Sequence, residues 1–173
     1  MKAFFAGAVT VVVLLVLASF VVVWFGLLPA GADAGFFPGE KWAANHALDV
    51  TIDREAPQPP YPFGPVTDDV IVAGAKGYMA NCAVCHGSAG SDPSMIGKGM
   101  YIRAPQFTRH GVDDDPEGET YWKIEHGIRF SAMPAFKGNL TEEQIWQITY
   151  FLKRGTNNLP SAADIIWHGT HGD

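Results

Sequence analysis

Cysteine is nearly absent: the 173-residue chain has two, Cys82 and Cys85. That count excludes a disulfide-rich secreted scaffold, and it excludes a four-cysteine zinc or iron–sulfur site built from one chain. Charge is missing altogether from Ala3 to Ala32, which disfavours a fully water-soluble protein. Bases are scarce elsewhere. The residues from Asp33 onward hold eleven bases against eighteen acids, a net of −7. A nucleic-acid binder needs a basic surface to meet phosphates, so that class is disfavoured too. The length fits one compact domain with appendages.

What is present divides the chain into four. Residues 1–32 open with Lys2 and continue as an apolar run from Ala3 to Leu28. As a helix these residues span roughly 39 Å, enough for a hydrocarbon core of about 30 Å. Trp24 stands near the far end, where an indole favours the interface. A cleaved signal peptide is the rival reading, since Ala30-Gly31-Ala32 resembles a cleavage site. A signal core of about 7–15 residues is much shorter than this run, which favours an uncleaved anchor. With Lys2 inside, the rest of the chain lies outside.

Residues 33–66 carry six prolines, Pro38, Pro57, Pro59, Pro60, Pro62 and Pro65. Proline lacks the N–H donor and fixes φ, so Pro57 to Pro65 reads as extended linker. Three aromatics stand in this stretch, Trp42, Tyr61 and Phe63, and are available to pack on the following domain. Residues 67–160 form that domain, and 161–173 read as a tail with a frayed end holding His168 and His171.

The decisive motif is Cys82-Ala-Val-Cys85-His86. Two cysteines three apart followed at once by histidine are the attachment signature of c-type haem. The thiols stand about one helical turn apart, matched to two vinyl groups, and the next side chain is placed to ligate the iron. Three other readings use the same residues. A thioredoxin-like redox pair needs a βαβ context that is missing. A zinc site needs a fourth ligand, for which His110 and His126 are candidates. A structural disulfide is the third.

Helices flank the motif. Thr67 suits an N-cap, with Asp68 and Asp69 in the first turn. Val70, Ala73, Gly74, Gly77 and Tyr78 then fall on one helical face. Thr141-Glu-Glu-Gln144 is a capping box, with Leu140 and Ile145 spaced as a hydrophobic staple. Ile145, Ile148 and Leu152 form the stripe behind it, Lys153 and Arg154 suit the C-terminal dipole, and Gly155 stops the helix. A third helix is expected from Pro116 to His126, capped by Asp115 and ended by Gly127. Asp113 to Asp115 lack the ligand spacing of a calcium loop.

From Thr67 to Pro160 the sequence resembles the class I (monohaem) cytochrome c family. The resemblance implies an all-α fold: a small set of helices around one haem, here preceded by the N-terminal transmembrane helix. Gly74 and Tyr78 match the family's crossing of its terminal helices, and Trp146 and Tyr150 look like the aromatics packed there. Phe130-Ser-Ala-Met133-Pro134 resembles the family's ligand loop, which makes Met133 the second axial ligand beside His86. Rivals are Met79, Met95, Met100, His110 and His126. Tyr101 to Phe107 resembles the loop on the histidine side, where the Pro105 carbonyl would accept the ligand's N–H. Tyr101, Arg103 and Trp122 are further candidates for contact with the cofactor: Arg103 for a propionate, Trp122 with Phe130 and Phe136 for excluding water.

The implied cofactor is one haem c held by Cys82 and Cys85. The implied role is one-electron transfer between redox proteins, not enzymatic catalysis. The partners are respiratory or dehydrogenase proteins, with a basic docking patch expected from the net −7. The expected place is the outer, periplasmic side of a bacterial cytoplasmic membrane, on a single-pass anchor. Two alternatives stay open: a haem-bearing subunit of a larger oxidoreductase, and a ligand sensor with a labile Met133.

Overall fold

The computed structural model describes residues 1–56, 62–89, 94–107, 112, 115–155 and 158–169. Pro57, Pro59, Pro60, Tyr61, Gly90, His110, Asp113, Asp114 and His171 lie outside the described residues. The described residues form eight helices and no strand: α1 (Lys2–Trp24), α2 (Glu40–Glu55), α3 (Asp68–Asn81), α4 (Ala83–His86), α5 (Met95–Gly99), α6 (Glu117–His126), α7 (Glu142–Arg154) and α8 (Ser161–His168). Compactness divides the chain into Met1–Ala34 and Gly35–Asp173.

The first unit holds α1, apolar on every face with no residue buried. By length and composition it can cross a membrane. Helical Thr10 and Ser19 return their hydroxyls to carbonyls four residues back, Ala6 and Leu15, so neither presents an unpaired hydroxyl to lipid.

The second unit is built on the contact of α3 with α7. Ile71, Gly74, Ala75 and Tyr78 are the buried positions of α3. The buried face is therefore turned from the sequence expectation toward Ile71 and Ala75. α3 is packed by α8 as well as by α7, so more of it is covered than one helix contact would cover. Gly74 lies where a Cβ would stand 2.0 Å from the Gln147 carbonyl oxygen and 2.8 Å from the Phe151 Cβ. Only a hydrogen at that position lets the two helices come so close.

α7 starts at the expected capping box. Thr141 Oγ1 accepts from the Gln144 N–H at 3.2 Å, and the Thr141 N–H donates to Gln144 Oε1 at 2.9 Å. The aromatic rings pair across several helices. Trp146 stacks on Tyr121 of α6 at 4.5 Å, while the rings against Tyr78 include Phe151 at 5.4 Å, Trp167 at 5.5 Å and Phe107 at 6.1 Å. α6 starts one residue later than expected, and Asp115 does not cap it. Asp115 pairs with Lys123 at 3.3 Å instead, on the same side as the Lys123–Glu119 pair.

Two segments are more ordered than their composition suggested. Within the stretch read as linker, residues 40–55 are helical, and Ile52 is only 2% exposed. α2 packs on α6. Phe36, just ahead of it, lies 4.7 Å from the Tyr101 ring, and both carboxylate oxygens of Glu40 accept from the Tyr101 hydroxyl at 2.9 Å. Trp42 stays exposed, stacked on His46 at 5.4 Å. The second segment is the tail. α8 places Ala163 and Trp167 in the core, and His168 pairs with Asp164 at 3.2 Å rather than fraying.

Candidate functional site

α3 ends at Asn81, and Cys82 both caps it and opens the single turn α4, which carries Cys85 and His86. Cys82 is buried, Cys85 is half-buried, and both are free thiols. Burial together with the neighbouring Cys85 pushes the Cys82 thiol up to about 12, so it is protonated at neutral pH. Gly87 ends the turn at φ 75°, where a side chain is disfavoured. Tyr78 fixes that end: its buried hydroxyl donates to the Gly87 carbonyl at 2.7 Å. Burial pushes the phenol pKa up, so it stays a neutral donor.

His86 is half-buried, with its ring 4.7 Å from Phe107 and nearly parallel to it, at 9°. Nδ1 lies 2.8 Å from the Pro105 carbonyl oxygen. A carbonyl only accepts, so Nδ1 carries the proton and donates. Burial lowers the imidazole pKa, and the hydrogen bond to Pro105 partly offsets this. A neutral ring with the proton on Nδ1 leaves the lone pair on Nε2, the form that ligates a metal.

A second layer of contacts, which the sequence did not reveal, holds the motif from behind. The Gln106 amide Nε2 donates to the Cys85 carbonyl at 3.0 Å, and its Oε1 accepts from the Ser94 N–H at 3.0 Å. The Ser94 hydroxyl donates to the Val84 carbonyl and accepts from the Gly97 N–H. A Cβ on Gly97 would stand 2.2 Å from the Cys85 carbonyl oxygen. Gly97, Ser94 and Gln106 thus occupy the carbonyl side of the motif. Short polar residues in a loop give no sign of this in the sequence, because their partners are ten to twenty-one residues away.

Met133 is half-buried and packed against the core. Its loop, from Gly127 to Phe136, runs back along α6: Phe136 N–H donates to the Ile124 carbonyl at 3.2 Å and Lys137 N–H to the Glu125 carbonyl at 3.0 Å. Among the rivals, Met95 is 88% exposed and Met79 packs on the core. Met100 is half-buried. His126 is exposed, paired with Glu125 at 3.3 Å and lying over Trp122 at 4.8 Å.

Four further residues named for contact with the cofactor have these surroundings. Trp122 lines a cleft of about 510 Å³ with Glu55, Glu125, His126 and Lys137. The Tyr101 hydroxyl is committed to Glu40. Arg103 and Phe130 are exposed. No group of three or more His, Cys, Asp or Glu side chains suited to a metal ion occurs among the described residues. The zinc reading therefore gains no fourth ligand from His126.

The donor set fits a haem. Two free thiols and a neutral imidazole with its Nε2 lone pair unprotonated lie on one helical turn, which is what thioether attachment and axial ligation require. Comparison with known proteins agrees. Residues 69–152 match the family described as cytochrome c oxidase, cbb3-type, subunit III. Cytochrome c6 of Synechococcus elongatus is 35% identical over 83 residues, 47% of this chain and 86% of that protein. Cytochrome c6 of Parathermosynechococcus lividus is 30% identical over 82 residues, again 47% of this chain and 86% of that protein. The cbb3-type cytochrome c oxidase subunit FixP of Rhizobium meliloti is 31% identical over 108 residues, 57% of this chain but only 34% of that longer protein.

Proposed function

The chain belongs to the class I cytochrome c family, and from that membership we propose a membrane-tethered one-electron carrier in which His86 and Met133 are the two axial ligands of a single haem. The cofactor is haem c, attached through Cys82 and Cys85. When bound, it supplies an iron that cycles between ferric and ferrous. The observation that carries the ligand assignment is the His86 ring, held neutral with its Nδ1 proton donated to Pro105. That bond fixes the ring's orientation and raises its basicity as a ligand. Phe107, flat against the ring, limits its rotation.

Met133 supplies a soft thioether, which favours the ferrous state and raises the potential. Pro134 stiffens the chain directly after it. With His86 and Met133 both holding the iron, no position would be left for a substrate, and the protein would exchange electrons with other redox proteins. Small transient contacts suit such exchange. The net −7 from Asp33 onward favours partners with a basic docking patch. α1 serves as a single-pass anchor in a bacterial cytoplasmic membrane, with residues 67–160 and the α8 segment on the outer side.

A second reading is a haem-bearing subunit of a larger oxidoreductase, supported by the similarity to FixP and to the oxidase-subunit family. Purification in mild detergent separates the two: a lone active species favours the carrier, and co-purifying subunits favour the complex. The sensor reading predicts carbon monoxide binding to the ferrous protein, which a firmly held Met133 prevents. The ligand assignment is tested by Met133→Ala, expected to abolish the near-infrared band of thioether on ferric iron; a surviving band moves the ligand elsewhere. Replacing Cys82 and Cys85 together by Ala is expected to remove haem staining from a denaturing gel.

A further inference from the structure

The loop that carries Met133 is bonded to itself. Gly127 opens it at φ 66° and ψ −173°, a region open only to glycine. A Cβ there would stand 2.6 Å from the Pro134 carbonyl carbon and 2.7 Å from the Met133 oxygen. The two ends of the loop therefore pass each other in direct contact. Ile128 N–H donates to the Met133 carbonyl at 3.2 Å, closing a ring of six residues.

Inside that ring Ser131 is bonded three times. Its N–H and its hydroxyl both donate to the Ile128 carbonyl, at 3.1 and 2.7 Å. Its Oγ accepts from the Met133 N–H at 3.1 Å. Both polar groups of Met133 are thus held, the N–H by Ser131 and the carbonyl by Ile128. Phe130 sits in the left-handed region at φ 63° with its side chain 86% exposed, so burial does not compensate its strain. The bonds on either side of it keep it there.

We infer that Ser131 is the positioning residue for Met133: its hydroxyl, donating to Ile128 and accepting from Met133, holds the backbone from which the thioether is presented. This rests on the reading of Met133 as axial ligand. The role needs a side chain that donates and accepts at once. Threonine meets that requirement and alanine does not. Without the bridge, the Met133 N–H turns to water, and the population with the thioether withdrawn rises. An external ligand then binds with a higher apparent affinity, because its competent state is more populated.

The test uses the full-length ferric holoprotein as wild type, Ser131→Ala and Ser131→Thr. Imidazole is titrated against the near-infrared thioether band, and the thermal midpoint is recorded alongside. In the absence of imidazole all three proteins are expected to show the band. The apparent dissociation constant for imidazole is expected to fall about tenfold in S131A and to stay within about twofold of wild type in S131T. A merely structural role would lower the thermal midpoint of S131A and leave its imidazole titration at the wild-type value. That result, with the band present, overturns the positioning role alone. Absence of the band from the wild type overturns the Met133 assignment, and this inference with it.

Discussion

Two glycines decide how closely the chain packs around the haem-binding turn. At Gly74 an added methyl would meet the Gln147 carbonyl at 2.0 Å, and backbone cannot step aside as a side chain can. Gly74→Ala is expected to cost about 2–3 kcal/mol, seen as a lower denaturant midpoint of the holoprotein. An unchanged midpoint would mean the α3–α7 crossing is looser than it stands here. This position was legible in the sequence, since small residues at helical spacing announce a close approach. Gly97 was not: what it meets, the Cys85 carbonyl, is twelve residues away and is reached only through a returning loop. Gly97→Ala is expected to lower the yield of haem-stained protein by displacing α5 from the motif. His86 carries the pH dependence. Burial lowers its pKa, so the unfolded chain binds the proton more readily than the folded one. Its contribution to stability is complete above the ordinary imidazole value of about 6.5 and is lost as the pH falls below it. The low-spin spectrum should hold through neutral pH and fade only on acidification.

Helices with clear punctuation were found where the sequence put them, and those without it were not. α7 has a capping box, an apolar stripe and a terminal glycine, and runs from Glu142 to Arg154 between them. α2 was hidden because prolines on both sides dominate the composition of residues 33–66. Between Pro38 and Pro57 there are none, and that window is the helix. α8 was hidden by its shortness: eight residues show too few turns to establish a period. Its Trp167, 2% exposed against Tyr78 and Phe151, makes it part of the core. Trp167→Ala is expected to cost about 3–5 kcal/mol in denaturant unfolding. A cost within experimental error would return α8 to the status of a dispensable tail. For α2, Ile52→Asn should release the helix from α6. Hydrogen exchange would then rise across residues 40–55 while α3 and α7 stay protected.

At the scale of the whole molecule, an apolar helix whose one charge is Lys2 precedes an acidic haem-binding part. Removing residues 1–32 is expected to move the protein from the membrane fraction to the soluble one after maturation. Electron transfer with a basic partner is expected to slow as ionic strength rises, since the attraction is screened beyond about 10 Å at 0.1 M salt. A rate indifferent to salt would place the contact on apolar surface instead. The sequence by itself determined the chemistry: the attachment turn Cys82 to His86, the helices beside it and the apolar run at the start. These are local patterns, in which the residues that act together are at most a turn or a helix apart. Only the tertiary structure decided that residues 40–55 fold back onto Tyr101 and α6, that Trp167 completes the core, and that Gln106 and Ser94 brace the motif. Those contacts join segments far apart in the chain, and which faces meet depends on the packing of all the helices together.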